Sequence, residues 1–112
     1  AGRGEGYNLN LPLPHGTAAD RWFEALEHGL DAIRRFRPDA LVVSLGVDTY
    51  EKDPISFFRL TSDDFSRLGA RLAGLAVPAL FVMEGGYNLD AIGVNVVNVL
   101  SAFEDVRQAA PI

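Results

Sequence analysis

Two nearly all-apolar runs and three stretches of helical periodicity alternate along the chain. The runs Leu41–Leu45 and Ala79–Met83 lack a strict apolar–polar alternation, which is typical of strands covered on both faces of a parallel sheet. Residues 9–13 do alternate and predict a first strand. We expect that strand to be short, because Pro12 and Pro14 cannot donate to a central ladder.

Three amphipathic helices are predicted around these strands. The first begins at Thr17, with Asp20 three residues later in an approximate capping box, and the second begins at Thr61. The third follows Gly85 and Gly86. Their buried stripes are Trp22, Phe23, Leu26, Leu30 and Ile33, then Phe65, Leu68, Leu72 and Leu75, then Leu89, Ile92, Val96, Val99 and Phe103. Alternation of strands and helices predicts an α/β fold, a parallel sheet with helices on both faces.

Composition narrows the class of protein. The 112 residues fit one domain without an internal boundary, and no apolar run is long enough to cross a membrane. A formal net charge of −5 argues against a nucleic-acid partner. The absence of cysteine excludes a disulfide framework and a thiolate metal site. Residues 1–6 are glycine-rich without a signal-peptide pattern, so we expect a fragment of a larger, cytoplasmic protein.

Polar side chains follow both apolar runs, where parallel strands would present them to one crevice. Asp48 comes three residues after the first run, and Tyr87 follows the glycine pair after the second. Asp48 is either a ligand to a divalent metal or a carboxylate that caps N–H groups in its turn. Tyr87 either donates its phenol to a developing oxyanion or packs at the start of the third helix. Asp53 precedes a proline and is expected to form a turn.

Further candidates flank these two residues. Gly85 and Gly86 permit a close backbone approach to a substrate. Glu84 is a substrate-binding carboxylate, an ion-pair partner or a helix-start charge. Neither His15 nor His28 stands at ligand spacing to a second histidine or carboxylate. We therefore expect His15 to pack in its turn and His28 to lie on the surface.

Three ordered segments carry a resemblance to a known family. They are residues 6–13 (GYNLNLPL), residues 46–55 (GVDTYEKDPI) and residues 84–88 (EGGYN). Together they resemble the C-terminal portion of the histone deacetylase superfamily, and they look most like its bacterial acetylpolyamine amidohydrolases. The similarity runs from about residue 4 to residue 103, nearly the whole chain.

The resemblance implies a fold and a set of site residues. The fold is the arginase/deacetylase three-layer α/β/α sandwich, with residues 1–112 as the C-terminal part of a single domain. Asp48 matches a protein ligand of the catalytic Zn²⁺, of which there is one per active site. Tyr87 matches the tyrosine that hydrogen-bonds the substrate carbonyl and the oxyanion. The backbone carbonyl of Tyr7 falls where some relatives bind a structural K⁺.

Two segments of the family pattern do not occur in the sequence: the Asp-x-His that supplies the other two zinc ligands, and the His-His acid–base pair. Because catalytic zinc takes three protein ligands, we expect this chain alone to be inactive. For the parent, the resemblance implies a homo-oligomeric, zinc-dependent amidohydrolase that acts on acetylated amines of the acetylpolyamine or acetyl-lysine type. The alternatives are a protein-lysine deacetylase and a non-catalytic interaction module with an incomplete site.

Overall fold

The computed structural model describes residues 2–109. A short 3-10 helix, Gly2–Gly4, leads into an extended segment without regular secondary structure. The elements that follow are β1 (Thr17–Ala18), α1 (Ala19–Phe36), β2 (Leu41–Leu45), β3 (Phe58–Arg59), α2 (Ser62–Ala73), β4 (Ala79–Met83) and α3 (Ile92–Ala109).

The two apolar runs are the central strands of the structure. β2 and β4 pair in parallel, with Leu41 opposite Ala79 and Leu45 opposite Met83. Both strands have the predicted bounds. Because the pairing is parallel and in register, the two strands end side by side, and the loops that follow them leave from the same edge.

One hydrophobic core joins the sheet to all three helices. Its most buried members are Phe23, Leu30, Leu45, Val47, Leu60, Phe65 and Val99. The opposite face of the sheet is open, with exposed fractions of 64% for Val42, 61% for Leu80 and 40% for Val82. Within residues 2–109 the helices therefore form one covering layer. The second layer of the expected sandwich is not built by this part of the chain.

The predicted strand at residues 9–13 is wrong. That segment has no regular structure, and the first strand is instead β1, which pairs in parallel with β3. The prolines at positions 12 and 14 lack the N–H that a ladder needs. The predicted start of α1 at Thr17 is wrong as well, because α1 begins at Ala19 without a side-chain cap. The Thr17 hydroxyl donates to the Pro14 carbonyl at 2.6 Å instead.

The other two helices follow the sequence pattern more closely. α2 starts beside Thr61, as predicted, and Thr61 caps it in a full capping box with Asp64. α3 begins at Ile92, later than predicted, and Leu89 is 86% exposed instead of contributing to the buried stripe. None of the helices within residues 2–109 has the length and apolar content needed to cross a membrane.

Close packing and hydrogen bonds hold the helices to one another. α2 and α3 approach so closely that a Cβ built at Gly69 would overlap the Val99 carbonyl of α3. Arg71 of α2 donates two hydrogen bonds to the Glu27 carboxylate of α1, at 2.6 and 2.7 Å. These bonds hold the pKa of Glu27 below its ordinary value and raise the pKa of Arg71.

Candidate active site

The carboxyl ends of β2 and β4 are joined beyond the strands themselves. The Glu84 N–H donates to the Leu45 carbonyl at 2.9 Å, and the Val47 N–H donates to the Gly85 carbonyl at 2.8 Å. The loop after β2 and the loop after β4 therefore run alongside each other. This juxtaposition is the one predicted from the two apolar runs.

The Asp48 carboxylate lies between two glycines. A Cβ built at Gly46 would stand 3.0 Å from Asp48 Oδ1, and a Cβ built at Gly85 would collide with Oδ2. Asp48 is half-buried. Within residues 2–109 no protein N–H or O–H donates to its oxygens. The alternative of a turn-capping carboxylate therefore has no hydrogen bond to support it.

Tyr87 stands on the neighbouring loop and is 52% exposed. The preceding residue, Gly86, has a φ of 153°, and a Cβ there would lie 2.7 Å from Val47 Cγ2 and 3.0 Å from Ile92 Cδ1. Any larger residue at this position would push the tyrosine loop away from the Asp48 loop. The glycine pair thus serves close packing between the two loops.

Two hydrogen bonds connect the loops on the far side of Tyr87. The Tyr87 N–H donates to Asp53 Oδ2 at 2.7 Å, and Asn88 Nδ2 donates to the Lys52 carbonyl at 2.9 Å. Asp53 Oδ1 also accepts from the Ile55 N–H at 3.0 Å, which confirms the predicted turn. The contact between Asp53 and Tyr87 was not predicted. Its donor is a backbone N–H, which nearly every residue has, so the sequence pattern does not single it out.

The remaining candidates lie around this pair. Glu84 is exposed beside the strand ends, where only its main chain makes a described bond to the neighbouring loop. His28 is exposed on α1, as predicted. His15 stacks on the Phe57 ring with 4.2 Å between centroids, which agrees with the expected packing in its turn.

Tyr7 is not near the Asp48 carboxylate. Its ring packs edge-on against Phe36 at the end of α1, with 6.3 Å between centroids. Both rings line an apolar cleft of about 520 Å³ that also includes Leu41, at the amino end of β2. Asp48 and Tyr87 lie beyond the carboxyl ends. The K⁺ site expected at the Tyr7 carbonyl would thus be separate from the candidate active site.

Asp48 fits a metal as one ligand of a larger set. Its carboxylate oxygens are hard ligand atoms and pack closely against Gly85. No N–H or O–H group of the described residues donates a hydrogen bond to them. No group of three potential ligands from His, Cys, Asp and Glu comes together within residues 2–109. Because catalytic zinc takes three protein ligands, the described residues by themselves do not complete such a site.

Within residues 2–109, a parallel pair of strands with a carboxylate and a tyrosine in the loops beyond their carboxyl ends defines an α/β protein with a candidate site at one edge of the sheet. The histone deacetylase domain model matches residues 1–103. The chain belongs to this family.

Similar proteins carry more specific names. The chain is 56% identical over 103 residues to acetylpolyamine amidohydrolase 1 of Pseudomonas aeruginosa, covering 92% of this chain and 30% of that protein. It is 52% identical over 99 residues to acetylpolyamine amidohydrolase of Mycoplana ramosa, covering 88% of this chain and 29% of the relative.

A solved structure extends the similarity to the fold. The crystal structure of acetylpolyamine aminohydrolase from Burkholderia pseudomallei superimposes with a TM-score of 0.92 at 43% identity, over 95% of this chain and 31% of that one. The predicted fold class and the predicted resemblance are both confirmed. The chain spans about a third of the length of these relatives.

Proposed function

We propose that the protein carrying this chain hydrolyses the acetamide bond of acetylated amines, and that acetylpolyamines are its substrates. The observation that carries the proposal is the environment of Asp48. Its half-buried carboxylate packs against Gly85 and accepts no hydrogen bond from residues 2–109. The names of the similar proteins support the substrate class. Residues 1–112 would form the C-terminal part of a single catalytic domain.

In this proposal Asp48 holds one coordination position of a zinc ion. When bound, such an ion polarises the substrate carbonyl and activates a water molecule at neutral pH. Tyr87 donates its phenolic hydrogen to the carbonyl oxygen and stabilises the negative charge that develops there, a contribution of about 3 kcal/mol where single donors have been removed from other enzymes. Glu84, Gly85 and Gly86 would line the substrate path beside it.

Charge around the crevice agrees with a cationic substrate. Residues 46–54 and 84–88 contain four carboxylates and one ammonium group, a formal charge of −3 from −4 and +1. A surface of one sign raises the local concentration and association rate of the opposite charge. A bound Zn²⁺ would bring this total from −3 to −1. A polyamine keeps positive charge on its free amines after one acetylation, so this remaining negative charge favours it over a neutral acetamide.

Two substitutions in the full-length protein test the assignment. Tyr87→Phe should retain stoichiometric zinc and lower kcat by about 100-fold or more, because only the transition-state donor is lost. Asp48→Asn should release zinc, which metal analysis after dialysis measures. Near-normal turnover by Tyr87→Phe would refute its role, and full zinc content in Asp48→Asn would refute the ligand.

Substrate choice is tested separately. Turnover of an N-acetylated polyamine should exceed that of an acetyl-lysine peptide at equal concentration. The reverse order would favour a protein-lysine deacetylase, and no turnover of either substrate would favour a non-catalytic module. The K⁺ near Tyr7, a homo-oligomeric state and a cytoplasmic location remain predictions from the sequence.

A further inference from the structure

Two adjacent hydrogen bonds tie the tyrosine loop to the loop that carries Asp48. They run from the Tyr87 N–H to Asp53 Oδ2 and from Asn88 Nδ2 to the Lys52 carbonyl. We call this pair of bonds the loop clasp. A single bond would leave the tyrosine backbone free to pivot about it, whereas two bonds between neighbouring residues restrict both translation and rotation.

Burial and hydrogen bonds fix the position of the Asp53 side chain. It is 7% exposed, and both carboxylate oxygens accept a backbone N–H, one from Tyr87 and one from Ile55. Its own N–H donates to the Tyr50 carbonyl at 3.0 Å. No cation lies within ion-pair distance of Asp53 in residues 2–109. A buried carboxylate is tolerated when hydrogen bonds satisfy it, so these two N–H groups define where its oxygens lie.

The orientation of Asn88 is defined as well. Its Oδ1 accepts from the Ala91 N–H at 3.1 Å, in the turn before α3, which directs the amide nitrogen to the Lys52 carbonyl. The Asn88 carbonyl also accepts from the Ile92 N–H at 2.9 Å. The clasp therefore connects the start of α3, the tyrosine and the loop after β2 in one hydrogen-bonded unit.

We propose that the loop clasp holds Tyr87 in its reactive position, with Asp53 as the positioning residue and Asn88 as its partner. This inference rests on the proposed function, since it assigns Asp53 an effect that passes through the tyrosine. Asp48 and Asp53 belong to the same loop, so the clasp sets the distance between the metal ligand and the oxyanion donor. A misplacement of about 1 Å can lower a rate about 100-fold.

The test is the Asp53→Asn variant of the full-length protein. The amide preserves the size of the side chain but offers one acceptor in place of two, so one of the two N–H groups loses its partner. We expect kcat to fall about 10- to 100-fold, with zinc content and KM within about twofold of the wild type. Asp39→Asn, the same change at an exposed position between α1 and β2, should leave all three unchanged.

A double-mutant cycle separates positioning from general damage. If Asp53 acts through Tyr87, then Asp53→Asn should lower kcat by less than about threefold when Tyr87→Phe is already present. An equal loss in both backgrounds, or loss of zinc from Asp53→Asn, would overturn the proposal. Asn88→Asp serves as a second variant, because it preserves the acceptor for Ala91 and removes the donor to Lys52. It should show the same dependence on the tyrosine.

Hydrogen exchange gives a readout that does not depend on turnover. The Tyr87 amide should exchange at least about tenfold faster in Asp53→Ala, which removes both acceptors, than in the wild type, and Asp39→Asn should match the wild type. Unchanged exchange would overturn the clasp itself. If exchange accelerates as expected while the wild-type protein deacetylates no acetylated amine, the proposed function is wrong and the clasp stands as a purely structural link.

Discussion

Gly85→Ala is the sharpest test of the geometry at the strand ends, because it perturbs Asp48 without changing any charged group. The backbone of Gly85 is outside the left-handed region, so alanine adds no backbone strain. The new methyl would collide with Asp48 Oδ2 and stand 2.8 Å from Asp48 Cγ. Since Asp48 is half-buried, its side chain is free to move toward the crevice, and we expect the variant to fold.

The size of the effect follows from these distances. Carbon atoms pack at about 3.5–4.0 Å, so the Asp48 carboxyl carbon must recede by about 0.7 Å or more. Metal–ligand distances tolerate about 0.2 Å. Changes to groups that orient a ligand typically lower metal affinity about 10- to 100-fold, which is about 1.4 to 2.8 kcal/mol at about 1.4 kcal/mol per tenfold. We expect Gly85→Ala to fall in this range.

The assay is competition for zinc between the full-length protein and a chelator of known affinity, with a thermal melt to verify folding. Gly93→Ala is the matched control, because a Cβ there meets no heavy atom within 4 Å and the residue lies within α3. It should retain wild-type zinc affinity. Wild-type affinity in Gly85→Ala would refute either the packing of Asp48 on Gly85 or its role as a ligand.

Two further predictions concern stability. Gly69→Ala should lower the free energy of unfolding by about 1–3 kcal/mol, because the methyl meets the Val99 backbone; an unchanged urea midpoint would contradict this. Glu27→Gln should lose at most about 1 kcal/mol at neutral pH, because the pair with Arg71 is partly exposed. Since folding lowers the pKa of Glu27, that difference should be present above its ordinary value of 4.5 and vanish as the pH falls through the folded pKa. If the wild type and Glu27→Gln still differ in urea stability at pH values far below both the ordinary and the folded pKa of Glu27, the pairing is refuted.

Most of the fold could be predicted where apolar pattern and local chemistry agree. Both central strands were predicted at their observed bounds, since each is an apolar run bounded by proline or glycine. α2 was predicted from its start at Thr61 and its apolar stripe. The errors lie where tertiary contacts outweigh the pattern. Two-residue strands such as β1 have no period to detect, and the packing of Gly69 on Val99 depends on where α3 crosses α2.

The adjacency of the two loops was predictable, but the hydrogen bonds within them were not. Asp48 and Asp53 lie five residues apart in one loop, and sequence pattern left the role of Asp48 open. The structure distinguishes them by their donors: Asp53 accepts two N–H groups, and Asp48 accepts none within residues 2–109. One of those donors is the main chain of Tyr87, and every residue other than proline carries such a group. Sequence therefore identifies which side chains reach the crevice, whereas the folded backbone decides which carboxylate stays available to a ligand and which one holds the tyrosine.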